Sequence, residues 1–248
     1  MTTLAVRDLA KAYGGVQALR GVSFSVAAGE VVAMIGPNGA GKTTCFDILN
    51  GLLAPDAGSV ELDGRSVLGL APRRIWRLGV GRTFQLTATF GSMSVRENVQ
   101  MALLSHHRRL WSFLPLATRQ HGEAADALLA RAGIAALATQ PCAELAYGDL
   151  KRVELSMALA HRPRLLLMDE PTAGMAPQER DALMRLAAGL ARDSGIAVLF
   201  TEHDMDVVFA HAERVLVLAE GALIATGPPA AVRADARVRE VYLGAGDA

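Results

Sequence analysis

Gly36-Pro37-Asn38-Gly39-Ala40-Gly41-Lys42-Thr43 fulfils the pattern G-x-x-x-x-G-K-[ST]. Holding a polyphosphate takes several converging donors and a backbone that comes close, and glycines permit that approach. The ammonium of Lys42 has the reach for β- and γ-phosphates, and the Thr43 hydroxyl is a hard oxygen donor suited to Mg²⁺. Lys42 is one of only three lysines, with Lys11 and Lys151, among 25 basic side chains. A genomic bias toward Arg explains the scarcity. A Lys kept against that bias suits a site needing a compact ammonium rather than a planar fork. Downstream, Leu165–Met168 is an apolar run ending in Asp169 and Glu170. A carboxylate at a strand's C-terminal end can hold Mg²⁺ against phosphates, and a second beside it can polarise an attacking water. Alone, such a pair reads as a solvated strand end; joined to the phosphate loop, it reads as chemistry.

These groups need rigid elements to hold them. Short apolar runs alternate with helical patterns, which predicts an α/β architecture with a largely parallel sheet. Strands are expected at Val22–Val26, Val31–Ile35, Ser59–Leu62, Leu165–Met168, Ala197–Thr201 and Val215–Leu218. Asp63-Gly64 signals a hairpin, so the early strands read as partly antiparallel. Helices are expected at Lys42–Asn50, Gln178–Arg192 and Met205–His211, with two short ones in Pro229–Leu243. From about Val95 to Leu159 the pattern is mainly helical. His106–Pro115 interrupts it as a basic, aromatic stretch that reads equally as a lipid or partner contact and as a solvated loop.

Composition excludes several classes. The chain has 248 residues and formal charge zero, which argues against a broad nucleic-acid surface. No apolar run approaches the ~20 residues needed to cross a bilayer. The first fifteen residues lack the apolar centre of a signal peptide. Cys45 and Cys142 form neither a metal-ligand spacing nor a disulfide framework, and Cys45 reads as a small core residue. The expectation is a soluble protein of a reducing compartment.

In motif content and order the chain resembles the ATP-binding subunits of ABC transporters over nearly its whole length. Tyr13 matches the aromatic that stacks on adenine, where the alternative is a ring capping the core. Gly36–Thr44, with Thr44 included, matches Walker A, and Gln85 in GRTFQ matches the Q-loop glutamine. Leu145-Ala146-Tyr147-Gly148-Asp149 occupies the signature position before a helix. Leu165–Glu170 matches Walker B and the following glutamate, and His203 in TEHDM matches the switch histidine. The resemblance implies a P-loop NTPase core (RecA-like) with an N-terminal antiparallel β subdomain and an inserted α-helical subdomain. The core would take about 1–84 and 161–248, and the helical and signature part about 85–160. It further implies ATP and Mg²⁺ as cofactors, with Thr43, Gln85 and Asp169 around the metal. Glu170, His203 and Gln85 would serve hydrolysis, and Ala146, Tyr147 and Gly148 would close on the nucleotide across a head-to-tail dimer.

Two departures stand out. Ala146 replaces the serine of the common LSGGQ signature, and Ala173-Gly174-Met175-Ala176 lacks the aspartate of the usual S-A-L-D. RTFQ, AYGDLKRVELSMALA, DEPTAGMAPQE, TEHDM and VYLG together resemble ATPases of branched-chain amino-acid importers, whose near relatives serve urea or amides. The implied partners are permease subunits docking near Gln85–Val99, a second identical or different ATPase subunit, and indirectly a solute-binding protein. The implied place is the cytoplasmic face of the membrane, held peripherally. Competing readings fit less well. A nucleic-acid-acting ABC ATPase tends to carry two cassettes or long insertions, and a GTPase would carry N-K-x-D. A regulatory scaffold is favoured only by Ala146 and Ala176.

Overall fold

A computed structural model describes residues 2–83, 89–106 and 121–243. In chain order the first part holds β1 (Thr2–Tyr13), β2 (Val16–Ala27), β3 (Val31–Ile35), α1 (Lys42–Leu49), β4 (Ala57–Leu62), β5 (Arg65–Ser66), α2 (Pro72–Leu78) and β6 (Val80–Thr83). The middle holds α3 (Val95–His106), α4 (Gly122–Arg131) and α5 (Tyr147–Leu159). The last part holds β7 (Leu165–Asp169), α6 (Pro177–Ser194), β8 (Ala197–Thr201), α7 (Met205–His211), β9 (Arg214–Ala219), β10 (Ala222–Gly227), α8 (Pro229–Ala234) and α9 (Ala236–Leu243).

The strands form two sheets. A four-stranded antiparallel sheet has the order β2-β1-β4-β5, and a six-stranded sheet has the order β10-β9-β3-β8-β7-β6. In the second sheet β9, β3, β8, β7 and β6 run parallel, and β10 adds an antiparallel edge. The parallel strands are apolar at almost every position because both faces are covered. Val32, Met34, Leu165, Leu167, Leu199 and Leu216 pack with α1 and the antiparallel sheet. Val31, Ala33, Ile35, Leu166, Met168, Val198 and Phe200 pack on the other face with α5 and α6. That period of two places alternate side chains of each strand in different cores.

A third core is helical. Val95, Val99 and Leu103 of α3, spaced i, i+4, i+8, meet Ala125 and Leu129 of α4 and Val153 of α5. All six predicted strands lie within observed strands, and α7 falls on its predicted residues. Four strands were not named in advance; one of them, β5, is the two-residue return of the hairpin that Asp63-Gly64 signals. In β1, Arg7, Asp8 and Lys11 break the apolar alternation, and Asp8 has φ 49° where the register with β2 shifts. In β6 and β10 the segments are short edges whose pairing partners, β7 and β9, supply the order. A helix at Pro72–Leu78 was also missed; its proline at the first turn is a valid start but lacks a polar cap before it.

Candidate functional site

Parallel strands deliver their C-terminal ends to one edge of a sheet, the usual place for a ligand in an open α/β fold. Four such ends carry the residues singled out above: Gly36 follows β3, Asp169 ends β7, His203 follows β8, and β6 leads toward Gln85. Gln85 itself lies outside the described residues, as does all of the His106–Pro115 stretch beyond His106.

The loop from Gly36 to Gly41 is built so that only glycine fits at its ends. A β-carbon at Gly36 would lie 2.2 Å from the Leu218 carbonyl oxygen. At Gly41, φ is 102° and a β-carbon would lie 2.4 Å from the Ala18 carbonyl oxygen. Gly41 is also the N-cap of α1 and brings no side chain to cap it. The first-turn N–H groups of α1 therefore keep their capacity for an anion, with the helix dipole behind them. Lys42 is 8% exposed, and its Nζ donates to Gly36 O at 2.6 Å and to Pro37 O at 3.1 Å. Burial pushes the pKa of its ammonium down, while the nearby Glu170 and Asp169 carboxylates act to raise it. Lysine, acids and loop thus share one electrostatic neighbourhood.

The acids are held by the neighbouring strand. Thr201 Oγ donates to Asp169 Oδ1 at 2.7 Å and accepts from Glu170 N at 3.0 Å. Glu170 has φ 45°, a left-handed conformation that costs a non-glycine residue roughly 1–3 kcal/mol. Met168 and Phe200, paired across β7 and β8 just before the turn and both buried, each contribute about 1.5–3 kcal/mol, enough to hold that turn. The strained turn brings Glu170 Oε1 to 2.8 Å from His203 Nε2. Behind them Glu202, only 4% exposed, accepts from Thr172 N, Thr172 Oγ and His203 N at 2.9, 2.6 and 3.1 Å. Glu202 fastens the loop after β7 to the loop after β8. Sequence reasoning missed Thr201, Glu202 and Thr172, although Thr201 and Glu202 stand beside His203 in TEHDM.

Other predicted residues lie elsewhere. Tyr13 ends β1 and is half exposed, with Lys11 Nζ 5.8 Å from its ring centre. Ala146 caps α5 without a side-chain hydrogen bond. The ring of Tyr147 has Lys151 Nζ 5.4 Å from its centre and lies beside Gly174. Gly148 is buried, and a β-carbon there would meet the Glu179 carboxyl at 3.0 Å. A buried amide helps tie the stretch before this segment to residues 90–94. Asn98 Oδ1 accepts from Phe90 N at 2.8 Å, while its Nδ2 donates to Phe90 O, Ser94 O and Cys142 Sγ at 3.1, 3.0 and 3.2 Å. Cys142 N and Ala143 N in turn donate to Met93 O and Gly91 O. Asn98→Ala is expected to cost about 2–3 kcal/mol by leaving buried partners unsatisfied. A fall in the urea midpoint at constant slope is the check.

Phosphate loop, carboxylate pair and histidine at adjoining strand ends define a P-loop ATPase site. Residues 19–173 match the family model described as ABC transporter, and the chain belongs to that family. It is an ATP-binding, ATP-hydrolysing subunit of the kind that works with membrane permease components. Residues 222–248 match a second model, described as branched-chain amino acid ATP-binding cassette transporter. The chain is 38% identical to the high-affinity branched-chain amino acid transport ATP-binding protein BraF of Pseudomonas aeruginosa, over 97% of each chain. It is 36% identical to the lipopolysaccharide export system ATP-binding protein LptB of Escherichia coli, over 98% of each. The solved ADP conformation of an ATP-binding cassette of an ABC transporter superposes with TM-score 0.88 at 31% identity, over 98% of this chain and 99% of that one. Among the described residues no helix is long and apolar enough to cross a membrane.

Proposed function

We propose that this chain hydrolyses MgATP to energise import of branched-chain or other hydrophobic amino acids. Identity alone does not choose the cargo, since BraF and LptB match to nearly the same degree. The C-terminal match over residues 222–248 carries the choice.

The site supports the following chemistry. Gly36–Thr44 wraps the phosphates, Lys42 turns from the loop carbonyls to the β/γ oxygens, and Tyr13 stacks on adenine. The oxygen donors suit Mg²⁺, with Thr43 and Asp169 to hold it and Gln85 to complete the set. Bound there, the ion would neutralise charge on the phosphate oxygens. Glu170 accepts a proton from the attacking water as the water oxygen bonds to the γ-phosphorus, the bond from that phosphorus to its bridging oxygen breaks, and ADP and phosphate leave. His203, already 2.8 Å from Glu170, orients that carboxylate and meets the γ-phosphate.

The partner subunit closes the site. Backbone N–H groups at Ala146, Tyr147 and Gly148 of one subunit point at the γ-phosphate held by the other. Ala146 brings no hydroxyl, and a hydrogen bond to a charged group is worth about 1.5–3 kcal/mol. A second, different ATPase subunit with an intact signature would compensate for that loss, which favours a heteromeric pair. The division into core (about 1–84 and 161–248) and helical part (about 85–160) lets a permease helix docking near residues 85–99 act on the signature. A solute-binding protein would deliver cargo on the far side, and this chain would sit peripherally on the cytoplasmic face.

Co-purification with the neighbouring permease and solute-binding subunits, followed by reconstitution in vesicles, tests this reading. Leucine or valine should stimulate both uptake and phosphate release. Stimulation by urea or an amide alone would overturn the cargo, and hydrolysis without any associated permease would overturn the transport role.

A further inference from the structure

We propose that Arg82 is a positioning residue for the metal site, clamping α1 to β7 so that Thr43 and Asp169 stand at the spacing one magnesium ion requires. This rests on the MgATP reading above. Arg82 lies on β6 opposite Leu167, and Leu167 and Asp169, two apart on β7, point to the same face. From there the guanidinium reaches in two directions. Its Nη1 is 3.7 Å from Asp47 Oδ1, and its Nη2 is 3.7 Å from Asp169 Oδ2. Arg82 and Asp169 are about equally enclosed, with side chains 15% and 16% exposed.

Asp47 is the link to the phosphate loop. It follows Thr43 by four residues on α1, so the two share one helix face one turn apart. Asp169 is fixed on its other oxygen by the Thr201 hydroxyl. Arg82 thereby joins the helix face bearing Thr43 to the Asp169 carboxylate, the two side chains that would hold the ion. A planar fork with several donors can address two carboxylates at once; an ammonium is a point charge and cannot span them in the same way. Magnesium makes the spacing consequential, because it demands near-octahedral geometry at about 2.0–2.1 Å.

Charge and position predict opposite outcomes, which makes the idea testable. If Arg82 were merely a nearby cation, its removal would strengthen binding of a divalent cation. If it sets the spacing, removal weakens that binding, because repulsion between the Asp47 and Asp169 carboxylates then shifts Asp169 away from the position that suits Thr43. Loss of an outer-shell partner typically weakens metal affinity about 10–100-fold, and Arg82→Ala is expected at about 10-fold.

The measurement is titration of Mg²⁺ into protein with a fluorescent ATP analogue, alongside analogue binding in EDTA. Arg82→Ala should raise the Mg²⁺ half-saturation while leaving affinity in EDTA unchanged, since the loop that wraps the phosphates is intact. Arg82→Lys, which keeps the charge, should still lose several-fold. Asp47→Asn should shift Mg²⁺ in the same direction and decides the matter if Arg82→Ala does not fold. An unchanged or lower half-saturation, or an equal loss of affinity in EDTA, overturns the positioning role. If the unaltered protein binds the analogue equally with and without Mg²⁺, the MgATP reading fails instead.

Discussion

Replacing Glu170 by Gln is expected to lower steady-state ATP hydrolysis about 100-fold or more while leaving MgATP binding close to normal. The amide keeps the size of the carboxyl group and its place in the strained turn, yet it cannot take a proton from water. A general base contributes about 10²–10⁴-fold to such a rate, so its loss outweighs any effect on binding. Glu170 Oε1 sits 2.8 Å from His203 Nε2, so the amide also changes the partner that orients the histidine. With the γ-phosphate retained, the clamp between subunits should persist, and an ATP-dependent dimer should accumulate on size-exclusion chromatography. Phosphate release near the unaltered rate would remove Glu170 from the catalytic role.

Lys42→Ala should show the opposite division. Charge-assisted hydrogen bonds are worth about 1.5–3 kcal/mol each, so if the ammonium reaches two phosphates as proposed, its removal weakens MgATP binding about 100-fold or more. Calorimetric titration reads the affinity directly. Lys42 Nζ also bonds the Gly36 and Pro37 carbonyls, so the midpoint of thermal unfolding is read beside it to separate a loosened loop from a missing phosphate contact. An affinity within twofold of normal would show that the backbone cradle suffices and the ammonium does not. Together the two variants separate holding ATP from breaking it.

How legible the site was depended on how local its parts are. The run from Gly36 to Thr43 declares itself because its geometry is a property of consecutive backbone: the loop, its glycines and the helix it opens are adjacent in sequence. β3, β7, β8 and β9 were legible for a related reason, since strands covered on both faces must be apolar along their length. β1 was not. Its polar residues and shifted register make sense only against β2 and β4, which hold it from both sides.

Glu202 and Asn98 show the limit most plainly. An acid and an amide are among the commonest surface residues, and nothing in their flanking sequence distinguishes a buried one. Their importance comes from partners far along the chain, Thr172 for Glu202 and Cys142 for Asn98, and for Asn98 also from Phe90 on the preceding loop. Arg82 belongs with them, between an acid on α1 and another on β7.

The order of residues alone therefore determined a phosphate-loop motif, a strand ending in two carboxylates and the family to which they belong, because each is written in a short contiguous stretch whose backbone geometry follows from its residue types. Only the tertiary structure decided which side chains orient those groups. The hydrogen bonds and ion pairs between strand ends that do so span from 30 residues, between Thr172 and Glu202, to 87, between Arg82 and Asp169, and such pairs exist only once the sheet has set its strand order and brought their ends to one edge.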